Sequence, residues 1–155
     1  MIKRYLLLLA LALPVVPAAQ AQEVYRDCTN LVLDYALYRD RFDAAGFAGL
    51  FTEDGSLTVG GQTWVGREQI HGRIVALNTG SSIRHLMSTV RITPVDETHA
   101  TGVSYATIYS SPAGVNTVTG FTLMGEYHDE FVRTAEGWKI AKRVLHTVYN
   151  EVQPD

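Results

Sequence analysis

The sequence predicts an α+β domain with helices gathered at the front and long antiparallel strands behind. Three observations predict it. Between Glu23 and Leu77 apolar residues recur at spacings of three and four; beyond Gly80 the period changes to two; and turn-like Pro94–Glu97, Ser111–Gly114 and Thr134–Gly137 divide the second half into long stretches. With 46% hydrophobic and 19% charged residues, the 155-residue chain has the composition of one globular domain.

Taken in order, the first segment stands apart from that domain. Lys3 and Arg4 form a positive start, Leu6 to Val16 is an apolar run broken by Pro14, and Ala19-Gln20-Ala21 offers small residues to a signal peptidase. The expectation is a signal peptide over residues 1–21, a domain over 22–155, and a periplasmic or secreted protein. A retained membrane anchor is the alternative, but the run falls short of the ~20 residues a spanning helix needs. Cleavage removes two bases and no acid, leaving 134 residues with 11 bases against 16 acids and a formal charge of −5.

From Glu23 to Arg41, Val24, Cys28, Leu31, Tyr35 and Tyr38 form the stripe of an amphipathic helix. Cys28, the sole cysteine, sits in that stripe as a small hydrophobe and has no partner for an internal disulfide. Asp43 can cap a second, short helix through Phe51, ended by Thr52-Glu53-Asp54-Gly55, whose glycine suits a turn. Gly60-Gly61, between Leu57–Val59 and Gln62–Val65, signals a hairpin. Arg67 to Leu77 is a third helix, with Ile70, Ile74 and Leu77 on one side.

Four strands are then expected near Ile83–Thr93, Thr98–Ser110, Asn116–Arg133 and Trp138–Tyr149. Alternation places His85, Met87 and Thr89 on one face of the first, and Phe121, Leu123, Gly125 and Tyr127 on one face of the third. Long strands twist and curl, and a curled sheet closed by helices leaves a pocket.

The net charge of −3, with 13 bases spread along the chain, lacks the basic stripe of a nucleic-acid binder. No histidine pair has tight metal-ligand spacing: His71 lies on an exposed helix flank, His99 and His128 beside acids near strand ends, and His146 on a strand with Lys142. No glycine-rich phosphate loop is visible. Neither a metal nor a cofactor is expected.

Two polar residues interrupt apolar surroundings. Asp40 follows Leu33, Ala36 and Leu37 by seven, four and three residues, so a carboxylate ends the first helix on an apolar flank, a setting suited to proton transfer. It could equally be solvated, or paired with Arg39 or Arg41. His85 could act as a base, its tautomer fixed by a carboxylate, or could be a core histidine bonded to a carbonyl. If the first helix crosses this strand, the two residues can pair.

Tyr35 with Asp40 five residues on, Phe51-Thr-Glu-Asp-Gly55, Gly66-Arg67-Glu68, Arg84-His85-Leu86 with Val90-Arg91-Ile92, and Gly125-Glu-Tyr127-His-Asp129 followed by Gly137-Trp138-Lys-Ile140 resemble the SnoaL-like branch of the nuclear transport factor 2-like superfamily. The resemblance spans nearly the whole mature chain. It implies a cone-shaped α+β barrel: a strongly curved, mostly antiparallel sheet wrapped around three helices, with a deep pocket for a small molecule. Scytalone dehydratases are the nearest in chemistry, with ketosteroid isomerases more distant. Their helix aspartate maps to Asp40 and their strand histidine, the general base and acid, to His85. Two of the dehydratase's tyrosines are replaced by Arg39 and, approximately, Val59, so scytalone itself is not expected as substrate.

The resemblance further implies pocket walls from Tyr35, Met87, Thr89, Phe121, Leu123 and Tyr127, with Tyr127 a candidate hydroxyl donor. SnoaL-like proteins often carry an asparagine at the position of Thr89. The fold hosts enzymes, binding proteins and interaction modules alike. A cofactor-independent lyase or isomerase using His85 and Asp40 is expected, with a small-molecule binder or a dimeric interaction module as alternatives. Superfamily members commonly dimerise through the open sheet face. Apolar residues on both sides of the late strands, Val118, Met124 and Val132 opposite Phe121 and Leu123, fit such a homodimer.

Overall fold

The computed structural model describes residues 18–151. The signal-peptide expectation falls mostly on residues 1–17, outside the described residues. Three helices, α1 (Ala18–Asp40), α2 (Ala44–Gly49) and α3 (Gly66–Leu77), accompany six strands, β1 (Phe51–Val59), β2 (Gln62–Val65), β3 (Ser82–Pro94), β4 (His99–Ser111), β5 (Leu123–Thr134) and β6 (Gly137–Asn150). The strands form one curved, unclosed sheet in the order β2-β1-β6-β5-β4-β3, antiparallel except where β1 runs parallel to β6. The expected α+β class and mostly antiparallel sheet are observed.

The chain forms these elements for local reasons. The buried stripe of α1 is Val24, Cys28, Val32, Tyr35, Ala36 and Arg39, rotated from the stripe through Leu31 and Tyr38, which are half-buried. Leu33 and Leu37 are exposed, so of the apolar flank assigned to Asp40 only Ala36 is inside. Phe42, at φ 53°, closes α1 in the left-handed region, and the Asp43 amide donates back to the Tyr38 carbonyl. Asp43 caps α2 as expected, its Oδ1 accepting from the Gly46 amide at 2.9 Å.

Two expectations fail on backbone geometry. Thr52–Gly55 is no turn but part of β1. Gly55 lies where a Cβ would stand 2.9 Å from the Ile140 carbonyl of β6, so this glycine permits close approach rather than a reversal. The third long strand begins at Leu123, leaving residues 116–122 outside the sheet. The Gly60-Gly61 hairpin is present, with both glycines at positive φ and Val59 opposite Gln62.

The core lies between the helices and one face of the sheet. Phe47, Phe51, Leu57, Ile70, Ile74, Phe131 and Ile140 are fully buried there. Helix α1 packs along β3 and α3 along β1, which brings the C-terminal end of α1 beside the start of β3.

Candidate active site

That crossing sets Asp40, the last residue of α1, against His85 of β3. The Asp40 carboxylate lies 2.7 Å from His85 Nδ1 and also accepts from the His85 backbone amide at 3.1 and 3.2 Å. An aspartate bonded twice to one residue cannot swing away without losing both contacts. Since the carboxylate is an acceptor, Nδ1 carries the proton, and the lone pair of the neutral ring is on Nε2. No described residue bonds Nε2. The side chains are 4% and 12% exposed for His85 and Asp40, so the pair is sheltered but not sealed.

The register lays out the wall around them. His85 stands opposite Ile108, and Ile108 opposite Leu123, one row across the sheet; Met87, Ala106 and Gly125 form the next. Met87 and Leu123 are half-buried against the core, and Phe121, just before β5, is half-buried. Tyr35 and Tyr127 are buried, and their hydroxyls meet at 3.3 Å. The Tyr35 ring stands edge-on to the His85 imidazole at 6.4 Å. The structure therefore gathers Asp40, His85, Tyr35 and Tyr127, with Met87 and Leu123 alongside.

Thr89 does not join them. The β3–β4 register slips between Ser88 and Arg91, Thr89 sits at φ 49°, and inward orientation passes from Met87 to Val90. The bulge inserts one residue into the alternation, so the simple period-two reading places Thr89 on the wrong face.

Beyond the tyrosines the inner face carries a buried ion pair. Arg143 of β6, wholly buried, donates through Nε and Nη2 to both carboxylate oxygens of Asp129 at 2.7 and 2.8 Å. Its guanidinium lies 4.1 Å from the Tyr35 ring centroid and 4.6 Å from that of Tyr127. Burial pushes the Tyr127 hydroxyl well above its ordinary value, so it stays protonated and able to donate. The sequence carried a signal for Asp129: a charged residue in period two between Tyr127 and Phe131. Arg143 left none, since the register shift between Glu130 and Phe131 breaks alternation with Ile140.

Elsewhere, a hollow of about 410 Å³ lies on the helix-free face of the sheet, lined by His128, Glu130, Lys142 and His146 among others, none of which belongs to the expected site.

A profile described as a SnoaL-like domain matches residues 20–144. The chain belongs to the SnoaL-like domain family. No curated protein matches this SnoaL-like chain. Among solved structures it is similar to a variant of Rv3472, a protein of unknown function from Mycobacterium tuberculosis, at 28% identity and TM-score 0.75, over 85% of this chain and 76% of that one. It is similar to a candidate scytalone dehydratase from Novosphingobium aromaticivorans, at 23% identity and TM-score 0.77, over 87% and 91% of the two chains. It is also similar to a type 2 hexachlorocyclohexane dehydrochlorinase, LinA, at 15% identity and TM-score 0.73, over 86% and 90%. The fold of this SnoaL-like domain is thus that of the nuclear transport factor 2-like superfamily.

Proposed function

We propose that this chain is an exported, cofactor-independent lyase or isomerase whose base is His85, positioned by Asp40. The observation that carries the reading is the 2.7 Å contact between His85 Nδ1 and the Asp40 carboxylate, which leaves the Nε2 lone pair to a substrate. Nε2 takes a proton from carbon beside a carbonyl, the C–H pair becomes the enolate, and Asp40 balances the imidazolium. In an isomerisation the proton returns to another carbon. In a dehydration the pair instead expels hydroxide from the neighbouring carbon, and the imidazolium proton completes water. Names borne by similar structures, a candidate dehydratase and a dehydrochlorinase, support elimination chemistry.

The test is exchange of carbon-bound hydrogen. β-Hydroxy carbonyl compounds and simple ketones are incubated with the protein in D₂O and followed by proton NMR. A reactive compound exchanges with the wild type, while folded His85→Ala is slower by ~10² to 10⁴-fold. Full exchange by that variant would remove the dyad from the mechanism.

Export is supported by what cleavage after Ala21 would leave intact. Burial in α1 begins at Val24, so the cut removes no buried described residue. Homodimerisation through the helix-free face is supported by a row across it, Leu86, Thr107, Met124 and Tyr149, flanked by exposed Tyr105 and Val148.

A further inference from the structure

The face of the sheet turned away from the dyad carries side chains that the proposed reaction does not use. In β5, Glu126 and His128 lie two residues apart on either side of the buried Tyr127, so both point to the helix-free face. In β6, His146 stands opposite Glu126, while Val144 stands opposite His128. A residue, its second neighbour and the partner across the ladder make a triangle of side chains on one surface. No spacing rule flags it in the sequence, because the two histidines belong to different strands and meet only through the β5–β6 register.

The distances within the triangle are those of groups sharing an ion. Glu126 Oε2 lies 3.2 Å from His128 Nε2, and the ring centroids of His128 and His146 are 4.7 Å apart with the rings at 82°. Two donor atoms each ~2.1 Å from one tetrahedral ion stand ~3.4 Å from one another, and two imidazoles on that ion have their centres ~5 Å apart. As the side chains stand, no three such groups among the described residues converge on one point. Rotation of the exposed His146 ring about its side-chain bonds supplies the third ligand.

The triangle is also accessible. The side chains of His128 and Glu126 are 49% and 37% exposed, and both histidines line the hollow of about 410 Å³ on this face. Neighbouring positive charge does not close it. Lys142 is held by Glu130 at 3.0 Å, and Arg91 lies two strands away, beyond Val103 of β4.

We propose that Glu126, His128 and His146 bind a divalent transition-metal ion of the zinc class, on the opposite face of the sheet from the dyad and independent of it. Imidazole nitrogens select zinc, nickel and copper over magnesium and calcium, which take oxygen ligands. His128 binds through Nε2 and keeps its ring proton on Nδ1, Glu126 offsets part of the charge, and water completes the coordination from the hollow. An ion held by residues of both strands ties β5 to β6 and stabilises the folded chain, since the unfolded chain lacks the triangle.

The experiment is calorimetric titration of the protein with zinc chloride and with magnesium chloride at neutral pH, beside thermal melts with and without zinc. One zinc per chain is expected, with a raised melting temperature and no response to magnesium. His128→Asn and His146→Asn each weaken zinc binding tenfold or more and remove the rise in melting temperature, and Glu126→Gln weakens it in the same direction. All three positions are at the surface, so these variants keep the core. His99→Asn and His85→Asn, which alter the other histidine–aspartate pairs, leave zinc affinity at the wild-type value. Proton–nitrogen NMR of the histidine rings shows zinc shifting His128 and His146 together. The proposal is overturned if zinc does not bind, if magnesium binds as well, if the double variant His128→Asn/His146→Asn keeps wild-type affinity, or if zinc moves only the rings of His85 or His99.

Discussion

At the scale of single residues, environment decides which candidates matter. His85 and Asp40 are two of several histidines and acids in the sequence, and they stand out only because a helix end and a strand start meet. If Asp40 serves to balance the imidazolium, Asp40→Asn lowers the rate of hydrogen exchange in the same direction as His85→Ala while the fold persists, since an amide holds the ring without its charge. Cys28 illustrates the opposite outcome. It is wholly buried, and burial foremost pushes its thiol from 9.0 up to about 12. The folded thiol keeps its proton where the unfolded one loses it, so its contribution to stability is intact below pH ~9 and is lost as pH rises toward 12. Two outcomes are expected: no alkylation of native protein at pH 8, with rapid alkylation after denaturation, and a shallower alkaline decline in stability for Cys28→Ala.

At the scale of elements, the departures from simple periodicity all trace to backbone. Gly55 in β1 reads as a turn residue, yet a Cβ there would also stand 3.1 Å from Phe51 Cβ as well as against the Ile140 carbonyl. Gly55→Ala should therefore cost about 1–3 kcal/mol by urea denaturation, through overpacking against backbone that cannot yield. Thr89 carries the converse lesson. An asparagine at this position would read from the sequence as pocket polarity, but at φ 49° on an exposed bulge it would answer a conformational need. Asparagine tolerates the left-handed region and a β-branched residue does not, so Thr89→Asn should stabilise the protein by roughly 1 kcal/mol and leave turnover unchanged.

At the scale of the whole molecule, the Arg143–Asp129 pair ties β5 to β6 inside the curved sheet and fills space that the fold could otherwise leave to a ligand. Both side chains are fully buried, so removing one strands a charge. Asp129→Ala should destabilise by about 3–5 kcal/mol, whereas replacing both partners with apolar residues of similar volume should cost much less. A shared loss of this size in both variants would show that the ion pair itself, and not the volume it fills, holds the strands together. The proposed dimer belongs to this scale as well. Sedimentation at micromolar concentration should give the mass of two mature chains, and exchanging Leu86 and Tyr149 for lysine should return one.

The sequence by itself determined the α+β class, the helix–strand order, the Asp43 cap, the Gly60-Gly61 hairpin and the pairing of Asp40 with His85 as a candidate. These follow from local spacing, turn chemistry and family motifs, each contained in a short window of chain. Only the tertiary structure decided that Thr89 faces outward, that Arg143 and Asp129 occupy the interior, and that Glu126, His128 and His146 meet on the helix-free face. A bulge changes facing without changing composition, and the burial of a charged side chain depends on what distant segments bring over it. Both are set by register between strands and by where helices cross them, which no local window records.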